Sequence, residues 1–141
     1  MKMFASSHFR PAQTPSALGP LQASEYLRLR RTAAGLTVDQ LADRLGPGRR
    51  AGEARSIITR LEARGATART DAIIERIARV IPLDATVYRQ LADDPVERHP
   101  SVCRSCGCSE FDGCSCSDSG RACSWATSHL CTRCERAGGA E

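Results

Sequence analysis

The sequence predicts an all-α domain of about five helices, followed by a small cysteine-rich module. Between residues 24 and 92, apolar side chains recur at intervals of three and four residues, which is the period of amphipathic helices. All eight cysteines fall between Cys103 and Cys134, and residues 1–102 contain none. A chain of 141 residues has room for one small domain and a smaller appendage. The two features therefore indicate two modules in one short chain.

Composition and charge exclude some classes of protein. No run of about 18 apolar residues is present, and the N-terminal residues lack the apolar stretch of a secretory signal. We therefore expect a cytoplasmic protein with no membrane partner. Residues 1–100 hold 16 Lys and Arg against 11 Asp and Glu, whereas residues 101–141 hold 4 against 5. The basic excess of the first part suits a nucleic-acid partner, although ordinary solvated domains carry similar balances.

The chain divides into five predicted segments. Its first 20 residues contain three prolines and no apolar period, so we expect a disordered arm there. Asp93-Asp94-Pro95 begins a stretch with the composition of a linker. The predicted boundaries are 1–20 for the arm, 21–94 for the helical domain, 95–101 for the linker, 102–136 for the cysteine module and 137–141 for a tail.

Capping signals define the first two helices. The first is predicted over residues 25–34, with Ser24 as its N-cap and Gly35 as a left-handed residue at its end. The second begins at Thr37, because the Thr hydroxyl and the side chain of Gln40 can satisfy each other's backbone amides in a capping box. The run Gly-Pro-Gly that follows ends this helix.

Three further helices follow. The polar residues 49–53 are predicted as loop, and the third helix is expected over residues 54–64. The fourth is expected over residues 71–80, since Pro82 prevents its continuation. Asp84 can then cap a short fifth helix.

The second and third helices have the features of a helix-turn-helix pair. In such a pair, a small residue in the first helix permits close packing and a glycine permits the turn. Ala42 and Gly46 occupy those places. Ile58 and Leu61 would then be the inward residues of the second, DNA-recognising helix.

The stretches LRLRR (27–31), AGLT (34–37), QLADRLG (40–46) and ITRLE (58–62) resemble the XRE family of Cro/CI-type repressors. The resemblance covers about residues 24–92. It implies a five-helix domain that places its third helix in the DNA major groove, usually as a dimer on a palindromic operator.

The turn departs from the family pattern. Gly46 and Ile58 are twelve positions apart, which is about twice the usual separation in the family. The extra residues, 47–53, form either an enlarged turn in which Arg49 and Arg50 hold phosphates, or an insertion that has removed DNA binding. We expect DNA binding to be retained, because a longer loop costs little free energy when both packing faces are kept.

Several polar residues are candidates for contact with DNA. Arginine can bind guanine through two hydrogen bonds, and Ser or Thr can contact a base edge or a phosphate. The alternative is that these side chains form the ordinary solvated face of an amphipathic helix. The predicted DNA-binding residues are Thr37, Gln40, Arg49, Arg50, Arg55, Ser56, Thr59 and Arg60.

The outer cysteines predict a metal site. Cys103 and Cys106, and likewise Cys131 and Cys134, form two C-x2-C pairs with 24 residues between them. Two intervening residues make a tight knuckle whose sulfurs converge on one metal, and Gly107 supplies the backbone freedom for it. Four thiolates at about 2.3 Å complete a structural zinc site of the zinc-ribbon or treble-clef kind.

The inner cysteines leave alternatives open. Cys108, Cys114, Cys116 and Cys123 could form a second four-thiolate site, which would raise the expected zinc content from one to two. An iron–sulfur cluster is the main alternative to zinc. The module holds few large apolar residues, so we expect it to depend on metal for its fold.

The cysteine pattern also resembles a small zinc-binding segment common at the ends of phage and prophage proteins. The resemblance is carried by the runs C-x2-C-G-C and L-C-x2-C and by the motif C-x-W at Cys123 and Trp125. Cys116 is additional to that pattern. The resemblance implies zinc binding without a particular activity.

These features predict a sequence-specific transcriptional regulator, of bacterial, phage or prophage origin, that binds double-stranded DNA. The zinc module would serve for homodimerisation or for binding a protein partner. Two alternatives are a zinc-stabilised protein–protein adaptor and a redox or iron–sulfur sensor that controls DNA binding through its cysteines. We expect no enzymatic activity, because the three histidines are scattered and no nucleophile or phosphate-loop pattern is present.

Overall fold

The chain folds mostly into helices and ends in a cluster of cysteines, which confirms the coarse prediction. The computed structural model describes residues 19–110, 124–127 and 129–139, so the predicted arm up to residue 18 lies outside the described residues. The helices are α1 (Ala23–Ala33), α2 (Val38–Leu45), α3 (Arg50–Leu61), α4 (Asp71–Ala78) and α5 (Ala85–Asp93), followed by a 3-10 turn (Val96–Arg98). A hairpin of β1 (Trp125–Thr127) and β2 (Leu130–Cys131) then leads into α6 (Thr132–Gly139).

The start of α1 differs from the prediction, since the helix begins before Ser24. Gln22 is the N-cap, and its backbone N–H donates to the Glu25 carboxylate at 2.9 Å. Ser24 lies inside the helix and is buried. The prediction of Ser24 as N-cap was wrong because Gln22 and Glu25 form the capping box instead. Gly35 follows the helix with a φ of 79°, as expected for a left-handed end.

The cap of α2 is confirmed. The N–H of Gln40 donates to Thr37 Oγ1 at 3.1 Å, and the N–H of Thr37 donates to Gln40 Oε1 at 2.9 Å. At the start of α5, Asp84 Oδ1 accepts from the N–H groups of Thr86 and Val87 at 2.8 and 3.2 Å. Both caps were visible in the sequence because they involve residues close together in the chain.

The predicted loop over residues 49–53 is wrong, because α3 already begins at Arg50. Ala51 is half-buried and Ala54 is buried, so they extend the apolar period of Ile58 and Leu61 toward the N-terminus. The additional residues therefore lengthen the helix, and α3 ends at Leu61 and not near residue 64.

The connection between α2 and α3 consists of residues 46–49. A Cβ added to Gly46 would lie 2.8 Å from Arg50 Cβ, so the absence of a side chain lets the start of α3 approach the end of α2. Gly48 supplies the left-handed backbone of the turn, with a φ of 71°. The two glycines thus have separate roles in a short connection.

The core lies between the five helices. The fully buried apolar side chains within it include Leu27, Leu41, Ile58, Ile74, Ile77 and Val87. Two buried tyrosines tie this core to loop backbone: Tyr26 Oη accepts from the N–H of Asp84, and Tyr88 Oη accepts from the N–H of Ala68, each at 3.0 Å. Among the described residues, no helix combines the length and apolar character needed to cross a membrane.

The segment after α5 continues to contact the helices. The 3-10 turn falls in the predicted linker, and Val102, just beyond it, is buried in the same apolar core as the helices. Val102 also forms an isolated antiparallel bridge with Ser109. The first cysteine pair therefore begins directly at the core.

α4 ends at Ala78, slightly before the predicted residue 80, and α6 extends past residue 136 to Gly139.

Candidate functional site

The first cysteine pair lies in a tight knuckle. The N–H of Cys103 donates to the carbonyl of Cys108 at 2.8 Å, and the N–H of Gly107 donates to the carbonyl of Cys103 at 2.9 Å. Gly107 has a φ of 84°, which only glycine adopts without strain. The local backbone therefore turns the Cys103 and Cys106 side chains to one side.

The second pair lies at the junction of the hairpin and α6. In the hairpin, Trp125 pairs with Cys131 and Thr127 with Leu130. Cys131 ends β2, and Cys134 lies in the first turn of α6, three residues further on. The change from strand to helix between these two residues leaves both sulfurs on one side, within 4.8 Å of each other.

The structure brings together the four cysteines predicted for the first metal site. The Sγ atoms of Cys103, Cys106, Cys131 and Cys134 all lie within 4.8 Å of one another. The Sγ atoms of Cys106 and Cys131 are 3.9 Å apart, and none of the described cysteines forms a disulfide. Four thiolates at about 2.3 Å from a tetrahedral zinc would be about 3.8 Å apart. The cluster thus has the donor set and the dimensions of a four-thiolate metal site.

Backbone amides surround the sulfurs. Cys103 Sγ accepts from the N–H groups of Ser105 and Cys106 at 3.3 and 3.5 Å. Cys106 Sγ accepts from the N–H of Cys108 at 3.4 Å. Such hydrogen bonds stabilise the negative charge of a thiolate, which is the form that binds metal.

The cysteines also interact with one another. The pKa of Cys103 lies below its ordinary value because of side-chain hydrogen bonds from Cys106 and then from Cys108. The bond with Cys103 raises the pKa of Cys106, and burial raises the pKa of Cys134. Four thiolates packed this closely repel one another, so a bound cation is needed before all of them deprotonate together.

Cys108 lies against the first cluster. Its side chain is 1% exposed, and it packs with Cys103 and Cys131. The other three residues predicted for a second site, Cys114, Cys116 and Cys123, lie outside the described residues. The second metal site therefore stays a prediction.

Arg30 joins α1 to the knuckle that holds Cys103 and Cys106. This side chain is 4% exposed, and its Nη1 donates to the carbonyl of Cys106 at 2.9 Å. Its Nε donates to the carbonyl of Pro82, between α4 and α5. Sequence reasoning missed this contact, because Arg30 and Cys106 are 76 positions apart and no local pattern connects them.

The predicted DNA-binding residues are all exposed. Thr37 and Gln40 use their side chains to cap α2. On α3, the helical period places Ser56 and Thr59 opposite the buried side, with Arg55 and Arg60 on the two flanks. Arg49 and Arg50 lie at the start of the same helix.

One residue of this surface was not predicted from the sequence. Gly52 is exposed and continues the line of Ser56 and Thr59 one turn toward the N-terminus. Arg64, which is also exposed, follows the end of α3 and lines a groove with Glu25 and Arg28 of α1. The helical spacing of Gly52 would have indicated its place, had residues 49–53 been recognised as helix.

The ion pairs near α3 differ in exposure. Arg55 Nε lies 3.3 Å from Asp39 on α2, and both side chains are more than half exposed. Glu62, by contrast, accepts two hydrogen bonds from Arg31 at 2.6 and 2.8 Å, and both side chains are mostly buried. The first pair can exchange partners easily, whereas the second holds α1 against the end of α3.

The described residues thus carry two candidate sites, a four-cysteine cluster and an arginine-flanked face of α3. Their interpretation depends on the geometry and charge of the residues themselves, because comparison with protein-family models, curated proteins and solved structures found no match to this chain.

Proposed function

We propose that the chain is a transcriptional regulator that binds duplex DNA through α3 and holds a structural zinc ion in the four-cysteine cluster. The observation that carries the proposal is the charge around α3. Residues 49–60 include four exposed arginines and one glutamate, and the ion pair of Arg55 with Asp39 is itself exposed. This basic surface suits the phosphates of a nucleic acid.

The shape of this face supports a groove-binding role. α3 has 12 residues and is therefore about 18 Å long, and a helix of ordinary diameter fits the major groove. Small side chains at Gly52, Ser56 and Thr59 allow close approach, while Arg55 and Arg60 on the flanks can reach base edges or phosphates. The short turn at Gly46 and the likeness to XRE repressors favour α2 as the bracing helix.

The cluster is better suited to a structural role than to DNA contact. Zinc bound by four thiolates carries a net charge of two negative units and has no open coordination position for a substrate. A phosphate backbone would repel it. Order along the described residues also supports zinc: a knuckle, a hairpin and a helix with the last cysteine follow one another, an order that resembles treble-clef zinc sites.

The test is selection of bound DNA from a random duplex pool, followed by affinity measurements on the selected sequence. We expect Arg60→Ala to cost about 1–3 kcal/mol in discrimination if Arg60 contacts a base. The matched control is Arg98→Ala, which removes an exposed arginine from the 3-10 turn and should change affinity little. No enriched sequence, or equal effects of the two variants, would contradict the proposal.

A second candidate is a zinc-stabilised adaptor that binds a protein through the same face. Asp39 and Asp43 are exposed on α2, beside the basic surface, and phosphates would be repelled by them. A face of mixed charge suits a protein surface better than a uniform polyanion. Intact zinc binding without any selected DNA would favour this candidate.

A further inference from the structure

We infer that Arg30 is a positioning residue for the metal centre, and that through it zinc binding stabilises the five-helix body of α1–α5. The inference rests on the proposal that the cluster binds zinc, and it is independent of DNA binding. It joins two parts of the chain that the sequence presents as separate modules.

The first argument is the cost of burying a guanidinium. Arg30 is almost completely buried, and two of its donors go to backbone carbonyls from different parts of the chain, Pro82 and Cys106. A buried cation without acceptors is strongly destabilising. The helical body therefore depends on the knuckle for one acceptor of its own buried arginine.

The second argument is the fit between knuckle and helix. A Cβ added to Gly107 would lie 2.5 Å from Arg30 Cδ and 3.1 Å from Leu29 Cβ. The knuckle backbone thus lies directly on α1, and Val102 at its base belongs to the helical core. A change in the knuckle cannot leave this contact unaffected.

The third argument is that the acceptor belongs to a metal-ligand residue. The carbonyl that receives Arg30 is that of Cys106, whose sulfur belongs to the cluster and accepts from the N–H of Cys108. Groups that hold a metal ligand from behind commonly change metal affinity when they are removed. By linkage, whatever the helical body contributes to metal affinity, the metal contributes to the stability of the body.

The chain contains separate optical reporters for the two parts. Its two tyrosines, Tyr26 and Tyr88, are fully buried in the helical core, whereas its one tryptophan, Trp125, packs beside the cysteine cluster. Unfolding of the full chain can thus be followed through tyrosine absorbance and tryptophan fluorescence, with zinc bound and after removal by a chelator. Zinc affinity is measured by competition with a chelating dye.

The test compares wild type with Arg30→Met and with a matched control, Arg89→Met. Arg89 also donates to a backbone carbonyl, that of Ala68, but it joins α4 and α5 away from the knuckle. We expect zinc removal to lower the unfolding midpoint of wild type, as followed by tyrosine absorbance. Arg30→Met should bind zinc about 10-fold more weakly than wild type. Zinc should then stabilise this variant by about 1.4 kcal/mol less than it stabilises wild type, which is the same 10-fold change expressed as a free energy.

The control should lower the midpoint equally with and without zinc and keep the wild-type zinc affinity. Should Arg30→Met fail to fold, Arg30→Lys keeps the charge but has its donors on a single nitrogen, which cannot reach both carbonyls, and should give an intermediate affinity. The inference would be overturned if zinc did not change the unfolding midpoint that tyrosine absorbance reports for wild type. It would also be overturned if the Arg30 variant bound zinc as tightly as wild type does. Failure of wild type to bind zinc would instead refute the proposed metal, and the DNA selection reports separately on the proposed function.

Discussion

At the scale of single residues, two glycines near the start of α3 differ in how closely they are packed: Gly46 is enclosed and Gly52 is open. A Cβ on Gly46 would meet Arg50 Cβ at 2.8 Å and the Arg50 carbonyl oxygen at 3.2 Å, so backbone would have to move. A Cβ on Gly52 would have nothing within 4 Å. The fold therefore requires the first glycine, and only a partner would require the second.

We expect Gly46→Ala to lower the free energy of unfolding by about 1–3 kcal/mol, because it overpacks a tight contact. Gly52→Ala should raise it by about 0.5–1 kcal/mol, since alanine restricts the unfolded chain and fits the helix. Urea unfolding followed by circular dichroism measures both.

If α3 enters a DNA groove, Gly52→Ala should weaken binding to the selected DNA despite the gain in stability. Equal stabilities for the two variants would show that the connection between α2 and α3 is looser than described.

At the scale of elements, the sequence predicted those features that depend on neighbouring residues. The capping box of Thr37 and Gln40, the Asp84 cap and the C-x2-C pairs are all local patterns, and the structure contains each of them. The start of α3 was missed because residues 49–53 contain a glycine and charged side chains, which are common in loops. Ala51, one turn before the buried Ala54, is half-buried on the same side of the helix, and this packing outweighs that local preference.

Contacts between distant elements could not be predicted in this way. Arg31 and Arg30 are adjacent in a run of similar residues, yet one joins α1 to Glu62 and the other joins it to the cysteine knuckle. Only the folded positions of the partners distinguish the two arginines. The pairing of Arg55 with Asp39 was likewise invisible, because it depends on how α3 lies against α2.

The Arg31–Glu62 pair gives a test of how α1 holds the end of α3. Glu62→Ala should lower the free energy of unfolding by about 2–3 kcal/mol, because it removes the carboxylate from a mostly buried guanidinium. Glu53→Ala, which removes an exposed carboxylate from the same helix, should change stability by less than about 0.5 kcal/mol. Urea unfolding compares the two, and a similar effect of both would mean that the pair contributes no more than a surface charge.

At the scale of the whole molecule, the metal content of the chain tests how the cysteines are divided. Cys131→Ser should remove one zinc per chain and unfold the surroundings of Trp125, because the described cluster loses a ligand. If the cluster binds zinc as proposed, Cys108→Ser should keep that zinc, since Cys108 lies beside the four clustered cysteines and is not one of them.

Elemental analysis of the purified variants gives the counts. A wild-type value near two zinc per chain, falling to one in Cys108→Ser, would support the second predicted site. Retention of all metal in Cys131→Ser would contradict the assignment of the first.

The burial of Val102 has a practical consequence for anyone who shortens this protein. A fragment that stops at the end of α5 would contain all five helices of the body. Its interior would nevertheless lack the Val102 side chain and the Cys106 carbonyl oxygen that accepts from Arg30. The minimal stable piece therefore extends beyond the last core helix, into the part that carries the cysteine cluster. Swapping the tail for that of another protein would alter the helices as well.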